Sequence, residues 1–271
     1  MSQARVRVSI VIPAYNEERH LKASLRAIAN QTQPAYQTLV VNNASTDNTA
    51  AIASGFPFVT VLHEERKGIV FARNRGFNAA TGDIIARIDA DTILPPNWIE
   101  HVQQFYADSQ NASRVLTGGC RFYNLLTGRL TGHGYNFFVH RSNRLLLGYY
   151  LPWGSNMALP RMIWQTVAAN TCARTDIHED LDLGIHLHKA GFEVRYLPWL
   201  RVQAVARRIM TDHKLLWPYM LMWPRTFRIH NISRFTSFCT LLMAGLVWLG
   251  SIGVYVTEKI TRLITGKTIN Y

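Results

Sequence analysis

Cysteine is scarce in this 271-residue chain, and the three present, Cys120, Cys172 and Cys239, are odd in number and far apart. They give neither a disulfide framework nor a zinc spacing, which excludes a bridge-stapled secreted fold and favours a reducing, cytoplasmic setting. Acidic residues are also few, 17 against 29 Lys and Arg, leaving a formal net charge of +12. A signal-peptide core is missing, since the apolar run after Arg5 and Arg7 meets Pro13 and Asn16 too early. No glycine-rich phosphate loop follows the first candidate strand, which leads instead into Pro13 to Glu18, and this counts against nucleotidyl transfer. With no internal repeat or low-complexity segment, the length fits one large domain with a real core plus an appendage.

The positive charge is concentrated at one end. From Arg201 to Tyr271 ten Lys or Arg face two acidic residues, a net of +8, while the first 200 residues carry +4. The same region contains Phe235 to Thr257, 23 residues without a charged side chain, where roughly 20 suffice to cross a hydrocarbon core. A spanning helix is expected, with a buried core helix or an interfacial segment as alternatives because Gly245, Gly250 and Gly253 dilute the hydrophobicity. Basic residues clustered beside an apolar helix point to anionic membrane lipids. Nucleic acid is not expected as a partner, because it calls for a basic stripe on the folded domain. Arg225, Arg228 and Arg234 on one flank balance Lys259, Arg262 and Lys267 on the other, so flanking charge sets no orientation. Without a signal core, the N-terminal domain is expected on the cytoplasmic side of a single-pass membrane protein. Leu215 to Pro224 (LLWPYMLMWP) suits an interfacial aromatic belt.

The first half alternates short β-rich runs with longer amphipathic ones: Val6 to Ile12 then Leu21 to Ala29, Thr38 to Val41 then Thr49 to Ala53, Val59 to Leu62 then Ile69 to Ala80, Ile84 to Ile88 then Trp98 to Tyr106. This pattern predicts an α/β fold with a mostly parallel sheet, whose ligands bind beyond the carboxyl ends of the strands. The polar motifs fall at those ends: Pro13 to Glu17, Asn42 to Asp47 and Asp89 to Asp91. Beyond Leu116 the periodicity is lost, and Arg121 to Trp153 reads either as a loop-rich acceptor region or as a poorly patterned cover over the sheet. Order returns with a helical run from Asp180 to Lys189, closed by Gly191, and a strand from Glu193 to Leu197.

Asp89 and Asp91 end the apolar run Ile84 to Ile88, and two carboxylates one residue apart make a hard-oxygen site suited to Mg2+ or Mn2+ against a diphosphate. A lone D-x-D is common, but its company here is specific. VSIVIPAYNEE (8–18), VVNNASTDNT (40–49), KGIVFARNRG (67–76), ATGDIIARIDADT (80–92), GSNMA (154–158) and HEDLDLGIHLHKAG (178–191) occur in this order. Together they resemble the inverting glycosyltransferases of family 2, which have the GT-A nucleotide-sugar-binding fold, over roughly residues 8 to 198.

The resemblance implies that Pro13, Tyr15 and Glu17 pack on the nucleobase and ribose. Asn42 stands where the family usually has an aspartate accepting the base's imide N–H; an amide oxygen accepts without charge assistance, which weakens the preference for uracil, so that a UDP-sugar is the favoured donor and a GDP-sugar stays open. Arg73 would lie near the diphosphate, Asp91 would bind the metal directly, and Asp89 would contact ribose or a metal-bound water. Asp180 matches the catalytic base, with Glu179 orienting it or the acceptor, and Gly154, Ser155 and Asn156 match a segment lining the acceptor and donor-sugar pocket. Read by themselves, Asp47 is a cap or turn residue, Glu179 and Asp180 cap a helix, and Lys67 lies on a solvated face. Arg207 and Arg208 suit a diphosphate clamp, a lipid-phosphate site or a plain membrane flank, and nothing local singles out His213 as a metal ligand.

The Q-x-x-R-W motif of processive synthases is absent, so transfer of a single sugar is expected. The expected organisation is a GT-A catalytic domain over 1–200, a basic and aromatic juxtamembrane segment over 201–234, a transmembrane helix over 235–257 and a short basic tail over 258–271. The expected activity is metal-dependent transfer from a nucleotide-sugar donor to a hydroxyl of a lipid-linked or membrane-proximal glycan acceptor. Transfer to a polyprenyl phosphate and a non-catalytic membrane-bound scaffold are the alternatives.

Overall fold

Seven strands form one sheet: β1 (Val8–Ala14), β2 (Gln37–Asn42), β3 (Val59–His63), β4 (Ile84–Arg87), β5 (Arg114–Phe122), β6 (Met157–Pro160) and β7 (Glu193–Ala204), in the spatial order β3-β2-β1-β4-β6-β5-β7. The structure, a computed structural model, describes residues 5–210 and 213–266. Strand β1 pairs in parallel with β2 and β4, β2 with β3, and β5 with β7, while β6 runs antiparallel between β4 and β5. Every residue of β1 and β4 is buried, as expected of strands covered on both faces. Side-chain alternation divides the core. Val8, Ile10 and Ile12 face one apolar layer with Leu21, Leu25 and Trp98, whereas Val11, Leu39 and Val41 face the other with Phe77, Trp164 and Leu183.

Helices α1 (Leu21–Ala29), α2 (Thr49–Ser54), α3 (Ile69–Ala79) and α4 (Trp98–Ala107) follow the first four strands. Their positions agree with the alternation in the sequence. Leu21, Leu25 and Ile28 make the buried stripe of α1 at helical spacing. Where α3 crosses the sheet, a Cβ on Gly76 would lie 2.3 Å from Val11 Cγ1, so this close packing admits no larger residue.

The unpatterned stretch folds as α5 (Gly128–Asn136), a π-helical segment Phe137–Ser142 and α6 (Asn143–Leu147), followed by α7 (Arg161–Val167) and α8 (Glu179–Lys189). It is a helical cover on β5: a Cβ on Gly128 would lie 1.8 Å from the Phe122 carbonyl oxygen, and Asn136 exchanges hydrogen bonds with the Cys120 backbone.

After β7 come α9 (Arg207–Met210), α10 (His213–Ile229) and α11 (Arg234–Thr265). Helix α11 is long and apolar enough to cross a membrane, the one such helix among the described residues. It exceeds the uncharged run at both ends because Arg234, Glu258 and Arg262 join it, and at 32 residues it is about 48 Å long.

Its packing matters more than its length. Thr236, Thr240, Ala244, Ser251 and Glu258 form a buried stripe on one side, while Phe235, Phe238, Leu242, Leu249, Ile260 and Leu263 are exposed on the other. The buried stripe rests on the rest of the protein. Ala244 packs with Leu216 and Met220 of α10, and the Trp217 and Trp248 rings meet at 5.6 Å. Near the far end, Glu258 accepts hydrogen bonds from the Leu126 and Thr127 amides at 3.1 and 2.8 Å, and Arg262 donates to the Asn124 carbonyl. The helix expected to leave the domain therefore lies along it. Residues 267–271 of the expected tail lie outside the described residues, as do the side chains of Arg208 and His213.

Candidate active site

The carboxyl ends of β1, β2 and β4 open onto one cavity of about 910 Å3. At the end of β1 the chain turns at Asn16, whose φ of 53° falls in the left-handed region that asparagine tolerates. This turn is stapled to the loop after β2: Asn16 Oδ1 accepts from the Thr46 amide, the Glu17 amide donates to Thr49 Oγ1, and the Glu18 amide donates to Asp47 Oδ2. Asp47 also accepts from the Thr49 amide, so it takes the turn role. The staple sets Pro13, Tyr15 and Glu17 on the cavity wall.

The loop before α3 is held by Asn43. Its Oδ1 accepts from the Gly68 amide at 2.8 Å and its Nδ2 donates to the Glu64 and Arg66 carbonyls. Gly68 has a φ of 141° and would place a Cβ 2.5 Å from Thr175 Cγ2, so glycine is required there. Lys67 lines the cavity with its ammonium 5.5 Å from the Tyr15 ring centroid.

Asp89 and Asp91 stand just past β4 and both line the cavity. Asp89 receives Arg87 Nη2 at 3.0 Å and the Ser155 hydroxyl. Arg87, fully buried, also pairs through Nη1 with Glu179 Oε1 at 2.9 Å. One guanidinium thus joins Asp89, just past β4, to the start of α8. Gly154 makes room for it, since a Cβ there would lie 2.2 Å from Arg87 Nη1. Burial opposes the charge on Arg87, but Asp89 and Glu179 outweigh it and raise its pKa. Burial would raise Glu179 too, yet Arg87 and Arg73 hold it below the ordinary carboxylate value.

Asp180 borders the cavity and accepts from the Gly154 and Leu181 amides at 3.2 and 2.9 Å. Burial, then the negative charge of Glu179, pushes its pKa up to about 7. Two adjacent carboxyls are thus split, one held ionised and one poised near neutrality, a division suited to a structural and an acid–base role. Across the cavity, Arg207 of α9 pairs with Glu17 at 2.6 Å and Asp91 at 3.5 Å. Burial raises Glu17, partly offset by this arginine. A cationic side chain already rests against Asp91, and the oxygen donors of Asp89 and Asp91 are of the hard type a divalent Mg2+ or Mn2+ prefers. These residues fit such an ion.

Pro13, Tyr15, Glu17, Asp89, Asp91, Asp180 and Arg207 share the cavity as the sequence reading expects, whereas five other expected residues stand behind it. Arg73, expected on the diphosphate, is fully buried; it donates from Nη1 to the Glu179 carbonyl at 2.6 Å and otherwise to Asn74. Asn42, expected on the base, turns its Oδ1 to the Ser45 amide. Asn156 clasps three elements, accepting from Trp98 Nε1 and donating to the Gly119 and Leu200 carbonyls. Gly154 and Glu179 act through Arg87, the first by giving it room and the second by pairing with it. The sequence reading passed over Arg87, Asn43 and the aim of Ser155. Arg87 had a signal: a lone charge inside an apolar strand requires a buried partner.

The far wall is apolar. Met220 and Trp223 of α10 and Leu246, Val247 and Val254 of α11 line the same cavity as the carboxylates.

A mixed sheet with helices on both faces, cavity-lining loops at adjoining strand ends and a carboxylate pair after β4 are the features of a glycosyltransferase of the GT-A fold. Within that class the chain belongs to glycosyl transferase family 2, whose model matches residues 9–166. It is similar to an uncharacterized glycosyltransferase, YibD, of Escherichia coli K12, with 34% identity over 37% of this chain and 30% of that one. An undecaprenyl-phosphate 4-deoxy-4-formamido-L-arabinose transferase of Sodalis glossinidius is 36% identical over 66% of this chain and 61% of its own. Among the most similar curated relatives, the chain spans about a third of their length. In structure it resembles a mannosyltransferase of Pyrobaculum calidifontis solved with GDP-Man and Mn2+, with a TM-score of 0.66 at 20% identity, covering 98% of this chain and 77% of that one.

Proposed function

We propose that this glycosyltransferase moves a single sugar, with inversion, from a nucleotide-diphosphate donor to a hydroxyl of a lipid-linked acceptor at a membrane surface. The observation that carries this reading is the cavity itself, which runs from Asp89, Asp91 and Asp180 to the apolar side chains of α10 and α11. A soluble sugar acceptor needs no such wall.

Pro13, Tyr15 and Glu17 would cradle the nucleoside, with Lys67 closing over Tyr15, and Arg207 would meet the diphosphate. Asp91, with Asp89, would hold a divalent Mn2+ or Mg2+, which when bound would supply charge that stabilises the departing diphosphate. As the acceptor oxygen bonds to the anomeric carbon, the carbon–diphosphate bond breaks on the opposite face and the acceptor proton passes to Asp180. Arg87 and Arg73 position Asp180 through Glu179 and touch no substrate. We favour UDP as the donor nucleotide, with GDP as the alternative.

A second reading has its own support. The Sodalis glossinidius relative is named for an undecaprenyl-phosphate acceptor, and a phosphate nucleophile is already ionised and requires no base.

The exposed apolar face of α11, with the helix packed on α10 and hydrogen-bonded near its far end to the segment before α5, supports membrane association with the helix in the plane of the interface. Calorimetric titration of UDP, GDP and dTDP into the full-length protein, with and without Mn2+, tests the donor site. One nucleotide should bind in a metal-dependent way, and Asp91→Ala should weaken it at least tenfold. Metal-independent or absent binding of all three overturns the mechanism.

A further inference from the structure

The fold gathers a second set of ligating side chains away from the cavity. Cys172, from the loop before α8, Asp182 and His186, one turn apart on α8, and His230, just past α10, bring their ligand atoms within 4.8 Å of one another. None of them borders the cavity of Asp89 and Asp91. Asp182 Oδ1 lies 2.8 Å from His230 Nε2 and 3.5 Å from His186 Nε2, and Asp182 Oδ2 accepts from the Cys172 amide. Asp182 is fully buried and His230 nearly so. His186 Nε2 is a buried ring nitrogen aimed into the cluster without a hydrogen-bond partner, an arrangement a folded protein seldom leaves unless the atom binds something else.

We propose that Cys172, Asp182, His186 and His230 form a closed, four-ligand site for one Zn2+-class transition-metal ion, separate from the divalent ion of the donor site. One thiolate, two imidazoles and one carboxylate are a donor set for Zn2+ rather than Mg2+ or Mn2+, which take oxygen. Tetrahedral bonds of about 2.0–2.3 Å put neighbouring ligand atoms roughly 3.3–3.8 Å apart. The widest spacing in the cluster, no more than 4.8 Å, therefore closes by at most about an ångström and the Asp182–His230 contact opens slightly.

The protons are accounted for. Burial, then Asp182, pushes the Cys172 thiol up to about 11, so the ion takes the place of the thiol proton. Burial lowers the pKa of His186, which favours the neutral ring that ligates. Lys189, 3.5 Å from His230 Nδ1 on an exposed stem, has to swing away so that Nδ1 can carry a proton. Arg73 and Arg174 are the other cations facing the cluster. Binding thus releases protons and tightens as pH rises.

A site of this kind would clamp the first turns of α8, where Asp182 follows Asp180 by two residues, to the end of α10, which walls the cavity. Its role is structural, because all four positions are filled by protein.

Elemental analysis of the full-length, detergent-purified protein after dialysis against a weak chelator tests the proposal. About one zinc per chain should remain, persist in Asp91→Ala, and fall at least tenfold in Cys172→Ser and His186→Ala. Replacing the metal by Co2+ should give a thiolate-to-cobalt charge-transfer band and the visible bands of tetrahedral cobalt, with the former lost in Cys172→Ser. Because the cobalt spectrum is read on the unsubstituted protein, a variant that fails to fold does not obscure the answer. No retained zinc, no charge-transfer band, or retention that depends on Asp91 overturns the inference.

Discussion

At the scale of single residues, the proposed chemistry turns on how the fold treats Glu179 and Asp180. Both stand at the start of α8 and both are largely desolvated, yet Arg87 lies against the first and leaves the second near pH 7. With its folded-state pKa raised, Asp180 holds its proton more tightly in the native protein than in the unfolded chain. The stability this contributes is present at low pH and lost as pH rises through about 7. Activity runs the opposite way, because only the ionised form accepts a proton. A pH profile of kcat/KM should rise through neutrality and level off above it. Asp180→Asn should abolish that limb and lower turnover by about 10²–10⁴-fold if the acceptor is a hydroxyl. A loss below tenfold selects the phosphate acceptor. The position of Asp89 and Asp91 was legible because polar residues at the end of an apolar run mark the mouth of a strand, and the place of Asp180 on the same cavity came only with the motif resemblance. Direction was not legible. Arg73, Asn42 and Asn156 occupy motif positions, but α3, β2 and the segment before β6 aim them into the protein, and no spacing along the chain encodes that aim. The Cys172, Asp182, His186 and His230 cluster was invisible for a related reason: only Asp182 and His186 are neighbours in sequence, and the loop and α10 bring the other two.

Among elements, the alternating strands and helices of the first half were readable because each has its own period. The segment after Leu116 was not, since α5 is rich in glycine and a π-helical turn separates it from α6, so the 3.6-residue pattern is interrupted twice. Helix α11 was readable as apolar, but which of its sides packs on the protein was not. Its buried stripe is small or polar, with Thr236, Thr240, Ala244 and Ser251, and its outer face is the greasy one; a hydropathy profile averages the two. Glu258 is what fixes the far end. It accepts from two backbone amides and the Thr127 hydroxyl, which closes the start of α5. Glu258→Ala leaves those donors without their acceptor, a loss of about 1–3 kcal/mol. Hydrogen exchange should accelerate in residues 124–131 and 254–262 together while the β1, β2 and β4 amides keep their protection. Unchanged exchange at both segments would show that the far end is held by something else.

For the whole molecule, the interfacial placement proposed for α11, packed on α10 and hydrogen-bonded near its far end to residues 126 and 127, implies a defined topology at a membrane. An epitope fused after Tyr271 should be digested by protease from the same side of sealed vesicles as the catalytic domain. Protection of that epitope while the domain is cleaved would restore a crossing helix. With a net of +8 from Arg201 onward, association with anionic vesicles should also weaken between low and high salt. The shared wall changes what counts as a minimal enzyme. Trimming a chain before its apolar helix is an ordinary route to a soluble fragment, and here it would remove Leu246, Val247 and Val254 from the same chamber that holds Asp91 and Asp180. Such a fragment would keep every catalytic side chain and lose one side of the vessel in which they work, so silence in its assay would report an open reaction chamber rather than a missing reagent.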